Sequence, residues 1–223
     1  MSGISFNQIP VNLLTPGQYV EFDNSKAIKG LVAMPQRILM LVPMLAAGTA
    51  TANVPFQLDN EANGVAGVGR GSIGAAMISA LFRVTDTIET WVVPIADSGG
   101  GVQATGTVVV AGTPTEAGTI ALYVAGVRLQ IAVSTTMTAT DIGDEIVYEV
   151  AANPDLPVTA ANVTGTVTFA SRHKGTLGND IDIRANYYPL SEKTPAGITL
   201  TITAMSGGTG DPSIATGLSN IGS

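Results

Sequence analysis

Thr119-Ile-Ala-Leu-Tyr-Val-Ala-Gly-Val-Arg-Leu-Gln-Ile-Ala-Val133 decides the fold class. Two runs in it alternate. Ile120, Leu122 and Val124 share one face of the first; Leu129, Ile131 and Val133 share one face of the second. A period of two is the signature of a half-buried strand. The two-residue gap Gly126-Val127 predicts a hairpin with a glycine-first turn. Further Thr/Val-rich runs of strand length flank it: 105–110, 164–171, 180–187 and 198–204. One helix interrupts them. Thr138 and Asp141 have the spacing of a capping box, and Ile142, Ile146 and Val150 repeat every four residues behind it. Pro154 and Pro157 lie beyond its end. Residues 99–206 therefore read as a β-rich domain, a sandwich or barrel-like arrangement with one packed helix.

Working outward, Ser98-Gly-Gly-Gly101 marks a boundary. Upstream, residues 30–98 read as strand, helix, strand. Arg37 to Val42 is a continuous apolar run suited to a buried strand. Gly48 to Gly71 is polar and glycine-rich, which predicts a loop. Ser72 then caps a helix whose Ile73, Met77, Leu81 and Val84 fall on one face. Thr90 to Ile95 is the second strand and carries the sole tryptophan, Trp91. That order predicts a crossover, a partial α/β unit. Residues 1–29 read as an extended arm, with Val20 and Phe22 on one face of a strand over 18–23. Residues 207–223 begin a further helical pattern that stops at once, as expected of a truncated segment. The fold class is thus α+β and β-rich.

Composition narrows the functions. The 223 residues include 45% apolar but only 12% charged side chains, half the ~25% usual for soluble domains. The chain has no cysteine, which excludes disulfide scaffolds and thiol catalysis. A net charge of −7 argues against a nucleic-acid surface. The longest apolar run, Ile38 to Ala47, is half a membrane span and is broken by Pro43. Met1-Ser-Gly-Ile-Ser-Phe6 carries no basic or apolar leader pattern, so no secretory signal is expected. A surface so poor in charge is one suited to being covered.

The motifs that could carry chemistry are incomplete. Gly67-Val-Gly69-Arg-Gly71-Ser72 lacks the third glycine of a dinucleotide fingerprint and the lysine of a P-loop; it reads as a loop ending in a helix cap. Asp59-Asn-Glu61-Ala-Asn63-Gly64 approximates a calcium loop, but Arg70 stands where the bidentate glutamate belongs, so it reads as a polar surface loop. His173, the single histidine, reads as a solvated turn residue at a strand end. Asp180 and Asp182 are two apart on an expected strand and read as salt-bridged surface positions. No catalytic, metal or cofactor site is expected, and a structural or interaction role is favoured.

Several segments together resemble the tail sheath proteins of contractile phages, most closely the Mu-like branch. These are Ile4-Ser-Phe-Asn-Gln-Ile-Pro10, Pro16-Gly-Gln-Tyr-Val-Glu-Phe-Asp-Asn-Ser-Lys-Ala27, Gly69-Arg-Gly-Ser-Ile-Gly-Ala-Ala-Met77, Trp91-Val-Val-Pro-Ile95 and Arg172-His-Lys-Gly-Thr-Leu-Gly-Asn-Asp-Ile181. The last resembles a Gly-x-x-Gly-Asn turn shared among sheaths, with Leu177 where many relatives have tryptophan. The resemblance implies a non-enzymatic subunit, without cofactor, that polymerises around the tail tube and contracts to drive it through the host envelope. The implied partners are other sheath subunits through strand exchange, the tail tube protein, the baseplate and the tail terminator, with neither nucleic acid nor membrane insertion. The implied location is the phage tail, after assembly in the bacterial cytoplasm, which the absence of cysteine suits. Strand addition by the arm would involve Val20 and Phe22, with Ile4, Phe6 and Ile9 as anchors. Sheath proteins are roughly twice as long, so the chain is expected to be an N-terminal portion. The competing reading is a β-rich adhesin or tail-decoration module.

Overall fold

A computed structural model describes residues 36–85 and 87–221, together with positions 12, 14, 16–18 and 20. The chain divides into two units, Met1–Pro35 and Gln36–Ser223. Of the five residues expected to join neighbouring subunits, Ile4, Phe6, Ile9 and Phe22 lie outside the described residues, as does most of the strand expected over 18–23. Val20 is described and is 73% exposed.

The second unit opens with the strand-helix-strand order read from sequence. Strand β1 (Arg37–Met44) pairs in parallel with β3 (Glu89–Ala96), in register from Arg37 opposite Glu89 to Met44 opposite Ala96. Between them lie a two-residue strand β2 (Phe56–Gln57) and helices α1 (Glu61–Val68) and α2 (Ile73–Phe82). The sheet order is β1-β3-β2. Val42, Met44 and Val92 meet Val68, Ala75 and Ile78 of the helices in one buried cluster. Ser72 caps α2 as its position predicts, its hydroxyl accepting the Ala75 N–H at 2.8 Å.

Helix α1 corrects the loop expected over 48–71. Two glycines in eight residues weaken a helix by about 1 kcal/mol each relative to alanine, so local propensity argues against it. Packing overrides that cost. A Cβ on Gly64 would come within 2.3 Å of Leu58 Cδ1, and one on Gly67 within 3.1 Å of the Phe56 ring. The glycines are what allow α1 to approach its neighbours. The stretch expected to be a polar surface loop at 59–64 is instead the start of this helix, with the Asn60 side chain accepting the Asn63 N–H at 2.8 Å.

The β-rich part comprises two antiparallel sheets and a helix. One sheet has the order β10-β4-β8-β7, formed by β4 (Gln103–Gly112), β7 (Val158–Val163), β8 (Thr166–Lys174) and β10 (Ile198–Ser206); the other has the order β6-β5-β9, formed by β5 (Gly118–Val124), β6 (Val127–Val133) and β9 (Ile183–Ala185). Ile120 pairs with Ile131 and Leu122 with Leu129, as the alternation demands. Their side chains share a buried cluster with Val108, Val167 and Phe169 of the other sheet and Ile142, Ile146 and Val150 of α3 (Ala139–Ala152).

Most strand ends shift by one or two residues from expectation, and three differences change a turn. The hairpin turns on Ala125 and Gly126, not Gly126 and Val127: both have positive φ (52° and 79°), the type I′ pattern whose twist matches the strands. Thr164 and Gly165 (50° and 85°) make the same turn between β7 and β8, so the run expected to start at Thr164 starts at Thr166. The strand expected over 180–187 shrinks to β9, because Thr176–Asp180 is a 3-10 turn. Asp180 and Asp182 therefore do not share a strand face; Asp182 pairs with Arg184.

The capping box of α3 is complete. Thr138 Oγ1 accepts the Asp141 N–H at 3.2 Å, and Asp141 Oδ2 accepts the Thr138 N–H at 2.7 Å. Thr138→Ala is expected to lower stability by about 1 kcal/mol. A urea midpoint indistinguishable from wild type would show the box to be dispensable.

Candidate functional site

The chemistry-bearing residues of Gln36–Ser223 gather where the strand-helix-strand part meets the β-rich part. His173, at the end of β8, is central to this junction and is only 4% exposed. This overturns its reading as a solvated turn residue. Three groups surround its ring and backbone. Nδ1 lies 2.8 Å from Asp97 Oδ1, just beyond β3. Nε2 accepts the N–H of Ile73, the first residue of α2, at 3.2 Å. The carbonyl of His173 accepts the Ser171 hydroxyl at 2.6 Å, and that hydroxyl oxygen accepts the Ala104 N–H at 3.0 Å. The second oxygen of Asp97 accepts the Lys174 N–H at 3.0 Å.

A second link lies alongside. Arg70, between α1 and α2, donates to Asp155 through Nε (2.6 Å) and Nη2 (3.0 Å). The bond from Arg70 holds the Asp155 carboxyl below its ordinary range. Arg172 donates from Nε to the Leu156 carbonyl at 2.8 Å. Gly71 is required between them: its φ is +79°, and a Cβ would stand 2.7 Å from the Pro154 carbonyl oxygen and 2.8 Å from Arg172 Nε.

The Gly175-Thr-Leu-Gly178-Asn179 turn is likewise dictated by close packing. Gly178 would drive a Cβ to within 2.6 Å of Ser171 Oγ. Asn179 and Gly208 exchange hydrogen bonds (Nδ2 to carbonyl 3.1 Å, N–H to Oδ1 2.8 Å), tying the turn to the segment after β10. Asp211 accepts the Thr176 N–H at 2.6 Å. These are structural roles. Among the described residues no group of three or more acidic or histidine side chains is placed to hold a metal ion. Among them too, no helix is long and apolar enough to cross a membrane.

Two surfaces suit contact with other chains. Strand β1 is an edge strand, and among the described residues it pairs with β3 alone. Its sequence is apolar from Ile38 to Met44, and Leu39 is 43% exposed. A long apolar edge is a template for strand pairing unless it is covered. On the sheet face that carries Leu39, Leu41 and Pro43 lie two clefts of about 330 and 350 Å³, the first bounded by Leu41, Pro43, Ile95, Leu177 and Ile214, the second by Leu39, Trp91 and Ile221. The other surface is aromatic. Tyr187 and Tyr188 meet edge to face at 4.9 Å beside Tyr123, with Leu190 fully exposed next to them. Glu192 organises this patch, accepting from Tyr123 Oη (2.6 Å), Arg128 Nε (2.8 Å) and the Tyr188 N–H (3.1 Å). Burial opposes ionisation of Glu192, but these donors outweigh it and hold the carboxyl below its usual range.

Of the residues singled out for strand addition, the described one, Val20, belongs to the first unit. Sequence reasoning missed Asp97 and Asp155, whose partners lie 76 and 85 residues away. The only signal was the basic run around His173.

No protein-family model matches the chain. A curated protein of Haemophilus influenzae, the Mu-like prophage FluMu tail sheath protein, is 37% identical over 219 residues, covering 98% of this chain and 45% of that protein. The chain spans about half the length of the curated relative it matches.

Proposed function

This chain belongs with the Mu-like phage tail sheath proteins along nearly its whole length, and on that premise we propose that it forms part of a contractile sheath subunit. Copies pack into a helical lattice around the tail tube, bounded by baseplate and tail terminator, and contraction drives the tube through the host envelope. The subunit works by changing its packing, without catalysis or cofactor. It assembles in the host cytoplasm and ends in the virion tail. The observation that carries the reading is the match across 219 residues. The apolar edge of β1 and the low surface charge support it, because both suit a surface that neighbouring chains cover.

In this reading residues 1–29 link subunits by strand addition, through Val20 and Phe22 with Ile4, Phe6 and Ile9 as anchors. Main-chain bonds make such a link strong and tolerant of side-chain change while subunits reorient. Deleting residues 1–29 from the complete sheath subunit is expected to abolish tube assembly in negative-stain images. Tubes of normal length and diameter would overturn the arm's role. A second reading, a module that binds a surface ligand, draws on the exposed Tyr187, Tyr188 and Leu190. It predicts that the same deletion leaves ligand binding intact.

A further inference from the structure

We infer that His173, as the neutral Nδ1–H tautomer, is the pin that locks the strand-helix-strand part onto the β-rich part. Nε2 receives a hydrogen bond from the Ile73 N–H, so that nitrogen carries no proton. The ring proton therefore resides on Nδ1 and is donated to Asp97 Oδ1. The positive end of α2 favours the same arrangement, since an imidazolium would set one donor against another there.

Three elements far apart in sequence converge on one ring. Asp97 follows β3, Ile73 opens α2, and His173 is the penultimate residue of β8; the two bonds span 76 and 100 residues. Both partners belong to the strand-helix-strand part, one at each of its consecutive elements. The ring is thus a two-point fastening rather than a single contact. Its own position is over-determined: Ser171 holds its carbonyl, and Asp97 also accepts the N–H of the next residue, Lys174. The other charged side chains nearby are engaged elsewhere, Lys174 Nζ with the Gly99 carbonyl and Arg172 with that of Leu156. Removing the ring would leave the Ile73 N–H and one Asp97 oxygen without their partner at a partly buried contact, a costlier loss than at the open surface. Together with the Arg70–Asp155 link alongside, the pin opposes movement of one part against the other.

The chain has one histidine, so a long-range proton–nitrogen correlation spectrum reports on His173 alone. The expected pattern is a protonated Nδ1 and a bare Nε2; the reverse tautomer, or a pattern averaged between the two, overturns the assignment. Amide exchange then tests the pin itself. In His173→Asn the amide sits near Nδ1 and can serve Asp97 but not Ile73; in His173→Gln the terminal oxygen reaches towards the Nε2 position. The Ile73 amide is expected to exchange about tenfold faster in the Asn variant, the equivalent of one lost hydrogen bond, and to keep most of its protection in the Gln variant. Equal protection in both variants would mean that the ring only fills space. If neither variant folds, the tautomer of the wild-type protein still decides the assignment.

Discussion

Phe169→Ala is expected to lower the unfolding free energy by about 4 kcal/mol, within the 3–5 kcal/mol range for emptying a buried phenylalanine site. Phe169 lies on β8, an inner strand of its sheet, and is fully buried. Its cross-strand partners are small: Gly106 on β4 and Ala160 on β7. Neither carries atoms that could swing into the void. Isoleucines of α3 and the hairpin also belong to this cluster, but they are tied to their own elements. The site should therefore collapse poorly, and the cost should fall in the middle of the range or above it. Urea denaturation at an unchanged slope measures it, as does a thermal midpoint lowered by roughly 10 °C. A loss below about 1.5 kcal/mol would show that the two sheets and α3 close around the gap, and that their packing is looser than described.

Gly74→Val is the second large effect, and two terms compete in it. Replacing a glycine inside a helix recovers up to about 1 kcal/mol of backbone entropy. Against that, a Cβ at Gly74 would stand 2.3 Å from the Pro43 carbonyl oxygen and 3.1 Å from Val42 Cβ. The obstacle is strand backbone, which cannot rotate away as a side-chain tip can. Overpacking of this kind costs about 1–3 kcal/mol, and the rigid carbonyl puts it at the upper end, so the clash wins. The net expectation is a loss of about 2 kcal/mol, with amide shift changes concentrated in residues 37–96. Gly99→Ala is the control, since nothing lies within 4 Å of the atom it adds. If Gly74→Val were as stable as that control, α2 could not rest on β1 as closely as described.

The amino-acid sequence by itself determined the elements whose signals are local. The alternation of Ile120, Leu122 and Val124 against Leu129, Ile131 and Val133 specifies a strand pair whatever lies around it, because each side chain's face follows from the pleat. Thr138 and Asp141 specify the start of α3 three residues apart. Val42 and Val92 announce buried strands by apolar continuity, and a helix between two such strands implies a parallel crossover. The resemblance to sheath proteins was legible in the same way, in short segments read in order.

Tertiary structure alone decided the rest. Helix α1 forms around Gly64 and Gly67 because Leu58, Ile78 and Phe56 leave no space for larger residues, which no local propensity can express. The turn at Ala125 and Gly126 shifted by one residue because strand twist, not composition, selects positive φ at both positions. Arg172-His173-Lys174 reads as a solvated basic run, yet the alternation of β8 turns the middle residue inward while its neighbours face out. Whether such a histidine is a surface base or a buried pin depends on an aspartate 76 residues before it and an amide 100 residues before it. Pattern along a chain records which way a side chain faces; only the folded chain sets what it faces.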